Sequence, residues 1–308
     1  MAATRLLKSA NTTRKPIARS LLIKPESKMI MKISVLGADK RHLKKISYRS
    51  RSSNTPALAG LVINTLLILY CSFTAGQQRP DDFVNLLDLD PTIHLEMRYA
   101  SSHNFLGRPV YGYETSACWL TEPAAKALVK VHQILDKSGF GLVIFDCYRP
   151  QHAVDDFVQW ASQPQQDMKA VFYPRVAKRE LFNAGYIAER SGHSRGSTVD
   201  LAIRRTLPSR QMNDDDGIEP ERPMHCQSDY GRTQAAGHLD FGSDYDCFDN
   251  LSHTENALVS AEARQNRQFL VSILKAHGFI NYPKEWWHFT FKPESYPNRY
   301  FDFPITVD

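Results

Sequence analysis

The stretch Ser191-Gly-His-Ser-Arg-Gly-Ser-Thr-Val-Asp-Leu-Ala-Ile203 constrains the fold more than any other part of this chain. From Thr198 onward it alternates. Val199, Leu201 and Ile203 point one way, and Thr198, Asp200 and Ala202 the other, as on a strand of period two. Gly196 stands between His193 and Asp200. It permits a tight turn that brings the imidazole back over the strand carrying the carboxylate. The sequence thus predicts a turn and a strand in which His193 and Asp200 meet.

A second stretch, Glu285-Trp-Trp-His-Phe-Thr-Phe291, is rich in aromatics and reads as a strand over 286–291. Trp286 and His288 then share one face, with Glu285 where the strand begins. The two stretches together offer two imidazoles, one ligand carboxylate and one spare carboxylate. A catalytic zinc needs that set: three protein ligands, an open position for water and a general base. The expectation is one Zn2+ per chain on His193, Asp200 and His288, with Glu285 as the base. A zinc-bearing binding module without catalysis is the rival, and the retained Glu285 argues against it. Other signals are weaker. Ser272-Ile-Leu-Lys275 fits a Ser-x-x-Lys pattern but falls inside an expected helix with no Lys-Thr-Gly partner. His225, His238 and His253 read as solvated loop histidines, and Trp286-Trp287 as packing.

Charge is unevenly spread over the 308 residues. Residues 1–54 hold 14 Lys/Arg against Glu26 and Asp39, a balance of +12. Subtracting these from 38 basic and 33 acidic residues leaves 24 against 31, or −7, for the rest. The body is therefore mildly acidic, which argues against a nucleic-acid partner. After the basic leader comes an apolar run, Ala57 to Tyr70, extending weakly to Ala75 and followed by small residues. This layout predicts a signal-peptide h-region at 55–76, or membrane attachment through 57–75 if it stays uncleaved. The basic region is long for a signal, so a start at Met29 or Met31 is an alternative. The expected location is export, with the body at 77–308 in the periplasm or anchored facing it.

Four cysteines follow the leader: Cys118, Cys147, Cys226 and Cys247. None has CxxC spacing, so a cysteine zinc site is disfavoured. Cys226–Cys247 is the disulfide we favour, with buried free thiols as the alternative.

Along the body, Gln77–Val84 reads as a polar linker and Leu86–Met97 as an early strand. Asn104–Tyr113 carries loop residues. Thr121 is an N-cap candidate for a helix to about Lys137, with Ala124, Leu128, Val131 and Leu135 on one face. Gly141–Phe145 reads as a buried strand delivering Asp146-Cys-Tyr-Arg-Pro150, and Pro150 opens a helix over Ala153, Phe157 and Trp160. A short helix is expected around Arg179–Asn183, and a surface insertion over 206–240. Ser260 caps a helix with a stripe of Phe269, Leu270, Ile273 and Leu274.

These motifs resemble one family. Arg98-Tyr-Ala, Asn104-Phe, Asp146-Cys-Tyr-Arg-Pro150, Ser191–Leu201, Gly242-Ser-Asp-Tyr-Asp246, Ser252-His253, Glu285-Trp-Trp-His-Phe289 and Tyr296–Pro304 are similar to the D-alanyl-D-alanine dipeptidases of the M15 zinc peptidases. The resemblance runs from about Asp88 to the C-terminus. It implies an α+β fold, a small antiparallel sheet flanked by helices, of the zinc D,D-peptidase (Hedgehog-like) type. It implies His193, Asp200 and His288 as zinc ligands and Glu285 as base and acid. Arg149 would stabilise the tetrahedral intermediate; from its sequence context alone, Arg149 with Asp146 reads as a surface ion pair. The resemblance also implies that Asp246, with Ser191 and Tyr99, holds the ammonium of a small dipeptide. A D,D-carboxypeptidase or endopeptidase acting on peptidoglycan is the alternative activity. The chain departs from the pattern at Gly192 and in the long 206–240 insertion.

Overall fold

The early part of the body differs most from expectation. In the computed structural model, which describes residues 77–206, Cys226 and 237–307, the segment expected as one strand over 86–97 breaks in two. Asn85 caps a helical turn at Leu86–Leu89 by accepting the Leu87 N–H on its side chain. Only His94–Leu95 remains extended, as β2. The loose alternation of this stretch was a helical turn plus a short strand, because a local cap competed with the sheet. The expected linker is also partly structured. Phe83–Asn85 forms β1, with Phe83 buried, paired antiparallel to β3 (Trp119–Thr121) in a two-stranded sheet.

The main sheet has five strands in the order β2-β4-β5-β7-β6, with β4 at Phe140–Asp146, β5 at Thr198–Arg205, β6 at Phe279–Asn281 and β7 at His288–Phe291. It is antiparallel except at one edge, where β2 runs parallel to β4, so the sheet is mixed rather than purely antiparallel. Three helices exceed two turns: α1 (Glu122–Asp136), α2 (Gln151–Ser162) and α3 (Ala261–Lys275). Helix α1 packs on β4 and α3 on β6. The α+β class therefore stands. No helix of the described residues is long and apolar enough to cross a membrane. The leader (1–54), the 55–76 run and most of the 206–240 insertion, His225 included, lie outside the described residues.

The helix stripes were legible, with one exception. Ala124, Leu128, Val131 and Leu135 of α1 are all buried, as are Leu270 and Leu274 of α3. Phe269 is not; it is 45% exposed, and Arg267 takes its place inside. Arg267 is fully buried and donates to three backbone carbonyls, of Phe241, His253 and Leu251. It fastens the 241–253 loop to the helix. Ser260 caps α3 as expected, whereas the Thr121 hydroxyl caps nothing and instead bonds Ser197 Oγ at 3.0 Å. Cys226 and Cys247 form a disulfide, and so do Cys118 and Cys147.

Strand register brings two carboxylates and an imidazole level with one another. Across three neighbouring strands, Asp146 of β4 is opposite Asp200 of β5, and Asp200 is opposite His288 of β7. The ladder shifts between Ile144 and Asp146. Such an irregularity re-aims side chains at the end of a strand.

Candidate active site

His193 reaches this rung from a single 3-10 turn, Gly192–Arg195. Ser191 caps the turn by accepting the His193 N–H at 3.2 Å, and Gly196 closes it at φ +75°. A side chain at Gly196 would sit 2.3 Å from the Phe83 ring, so both conformation and space require glycine there. Gly192, where the chain departs from the family pattern, is similarly crowded: a Cβ there would lie 2.9 Å from Thr198 Oγ1.

Three atoms converge. His193 Nε2 is 3.3 Å from Asp200 Oδ1, His288 Nδ1 is 3.0 Å from the same oxygen, and the two nitrogens are 3.3 Å apart. Asp200 Oδ1 is buried and has no hydrogen-bond partner. A buried carboxylate oxygen without a proton donor, faced by two imidazole nitrogens, calls for a cation. Bonds of about 2.0–2.2 Å in a tetrahedron put neighbouring ligands about 3.3–3.6 Å apart, which two of the three separations match and the third, at 3.0 Å, falls a little short of. Among the described residues this is the only group of three or more His, Cys, Asp or Glu arranged to hold a metal.

Supporting contacts orient each of these candidate ligands. His193 Nδ1 lies 2.7 Å from the Cys147 carbonyl, which can only accept, so Nδ1 carries the proton and Nε2 presents its lone pair. Asp200 Oδ2 accepts from the Tyr245 hydroxyl at 3.1 Å. Burial alone would raise the Asp200 pKa; with the site free of metal and the imidazoles protonated, His193 and His288 would outweigh it and hold the carboxyl well below its ordinary value. Burial lowers His288 despite the opposing pull of Asp200, which favours the neutral, ligating ring.

Glu285 lies in the turn before β7, because that strand begins at His288 and not at Trp286. Its Oε2 is 3.5 Å from His288 Nδ1. Burial, then the charges of Asp200 and Asp246, push its pKa well up. Arg149 is buried too, so the surface-pair reading fails. Its Nε and Nη2 donate to Asp146 Oδ2 at 3.0 and 2.8 Å, and its guanidinium lies over the rings of Tyr99 and Phe157. Burial would lower its pKa, but Asp146 raises it further, so the cation persists. Asp246, at φ +59°, is buried and accepts from Tyr99 at 2.8 Å. Burial and the Asp200 charge raise its pKa well above the usual carboxylate range.

All eight residues singled out in the sequence line one cavity of about 270 Å³: Tyr99, Arg149, Ser191, His193, Asp200, Asp246, Glu285 and His288. Its small size is below that of drug-sized pockets. Phe105, Phe157 and Phe248 complete an apolar wall. The sequence reading missed Tyr245 and also Tyr113, which donates to Asp146 Oδ1 at 2.7 Å. Tyr245 sits inside a quoted motif, but no spacing reveals that its hydroxyl reaches Asp200. His238 and His253 stay apart from the centre. His238 is buried against Glu96 at 2.9 Å rather than solvated, and His253 meets the Tyr186 hydroxyl at 3.2 Å. Both tryptophans are buried, Trp286 stacked on Phe241. Ser272 and Lys275 are exposed on α3.

Comparison with known proteins identifies the family. The M15 peptidase family model described as D-ala-D-ala dipeptidase matches residues 79–213 and 230–306. The gap falls within the insertion expected at 206–240. A D-alanyl-D-alanine dipeptidase of Enterococcus faecium is 36% identical over 221 residues, covering 70% of this chain and 96% of that protein. One from Streptomyces coelicolor is 37% identical over 225 residues, 73% and 98% of the respective chains. One from Escherichia coli K12 is 29% identical over 217 residues, 70% and 88%. The chain belongs to the D-Ala-D-Ala dipeptidase family of the M15 peptidases.

Proposed function

We propose that this protein is a zinc dipeptidase that hydrolyses D-Ala-D-Ala to two D-alanines, on a zinc D,D-peptidase (Hedgehog-like) fold. One observation carries the reading: a buried carboxylate, Asp246, shares a small cavity with the His193–Asp200–His288 centre. A free dipeptide brings an ammonium next to its scissile bond, and an ammonium leaving water needs such a partner.

His193, Asp200 and His288 would hold a zinc ion, which would supply Lewis acidity and bring the pKa of a water in the site to about 7. Glu285 takes the proton of the attacking water and delivers it to the leaving amine. Arg149, aimed by Asp146, faces the developing oxyanion; a donor in that role is typically worth about 3–4 kcal/mol. Asp246 and Tyr99, with Ser191 lining the same cavity, hold the ammonium. A cavity of about 270 Å³ with an apolar wall suits small apolar side chains.

In this reading residues 77–308 are the catalytic domain, 55–76 a signal h-region or anchor, and the body works outside the cytoplasm. The two disulfides support an oxidising compartment. The acidic body supports a small-molecule partner and no nucleic acid.

The test compares kcat/KM for D-Ala-D-Ala with that for its N-acetyl derivative. The dipeptidase reading requires rejection of the acetylated form. If that form is cleaved as well or better, a D,D-carboxypeptidase or endopeptidase acting on peptidoglycan replaces it.

A further inference from the structure

Two guanidinium groups line the cavity, those of Arg149 and Arg190. Arg149 is committed to Asp146 through two hydrogen bonds. Arg190 differs. It is exposed, it immediately precedes Ser191, and among the described residues no carboxylate lies within ion-pair distance of it. Its guanidinium lies over the Tyr300 ring, 4.9 Å from the centroid. That ring is itself held, since the Tyr300 hydroxyl accepts from Arg195 Nη1 at 3.3 Å and Arg195 is doubly bonded to Glu294. An aromatic face orders the Arg190 cation without neutralising it.

We propose that Arg190 receives the free α-carboxylate at the C-terminal end of the peptide substrate. The inference rests on the dipeptidase reading and deepens it. A free dipeptide has an ammonium on one side of the scissile bond and a carboxylate on the other. Asp246 and Tyr99 serve the first. The second must enter a cavity already lined by three acids, Asp200, Asp246 and Glu285. Two carboxylates without a cation between them repel. Arg149 holds Asp146 and faces the oxyanion, which leaves Arg190. A guanidinium also matches a carboxylate in a two-pronged hydrogen bond, which a lysine ammonium does not. Arg190 leads into the Ser191–His193 turn, so it reaches the cavity from a different segment of the chain than Tyr99 or Asp246.

The test uses zinc-loaded protein with D-Ala-D-Ala and its C-terminal amide, in wild type, Arg190→Gln and Arg190→Lys. A hydrogen-bonded charge pair lost from one side predicts a fall of about 10- to 100-fold in kcat/KM for the free acid in Arg190→Gln, mostly in KM. The same variant should change the amide by no more than about twofold, so that wild-type preference for the acid collapses. Arg190→Lys should restore part of that preference. Equal losses on acid and amide, or no loss on either, would overturn the assignment while leaving the dipeptidase reading intact. A wild type that hydrolyses neither substrate would overturn the reading and this inference with it.

Discussion

His288 Nδ1 lies 3.0 Å from Oδ1 of Asp200, its cross-strand partner, and that oxygen has no hydrogen-bond donor. The pair makes sense with a cation between the groups. His288→Ala should therefore lose both zinc and turnover, and the gain in Tm on adding zinc to the metal-free protein should vanish with them. A full equivalent of zinc in that variant, by elemental analysis, would remove His288 from the ligand set.

Glu285 separates from the ligands in a second measurement. Glu285→Gln should keep a full equivalent of zinc while kcat falls by about 10²- to 10⁴-fold, the usual worth of a general base. Near-normal kcat would mean that another group takes the proton.

Tyr99 donates to Asp246 across 147 residues of chain. Tyr99→Phe leaves the ring packing and removes that donor. The expected result is a rise in KM for D-Ala-D-Ala of about 10-fold with little change in kcat, since the ammonium is bound alike in ground and transition states. A change confined to kcat would place Tyr99 in the chemical step instead.

A stability prediction comes from outside the site. Burial would raise the Glu96 pKa, but the hydrogen bond and charge of His238, with Arg98, bring it down to about 2. A carboxyl whose pKa is lowered on folding stabilises the fold above its unfolded value of about 4.3, and loses that contribution as pH falls through the folded value. Glu96→Gln should therefore cost about 2 kcal/mol near pH 6, judged by denaturant unfolding, and the difference from wild type should close towards pH 2. A constant difference across that range would assign the loss to packing.

Location is checked by fusion. A reporter joined after residue 80 should be active only where the fused body is exported, in line with the basic leader before the apolar run. Cytoplasmic activity would reject export.

The sequence by itself determined which residues make up the candidate site and most of the elements that carry them. Period-two alternation placed Asp200 on a strand, Gly196 marked the turn for His193, and the stripes of α1 and most of α3 gave the helices. These are local signals, set by residues a few positions apart. Where a local signal had a competitor it misled: the Asn85 cap broke the expected early strand, and Ser197 drew the Thr121 hydroxyl away from its cap. The tertiary structure alone decided what depends on register and burial. It set Asp146, Asp200 and His288 on one rung, buried Arg149 beside Asp146, put Arg267 where Phe269 was expected, and brought Tyr245 to Asp200. Most of these are meetings of side chains far apart in the chain. Strand pairing and close packing settle such meetings, and no spacing in the sequence encodes them.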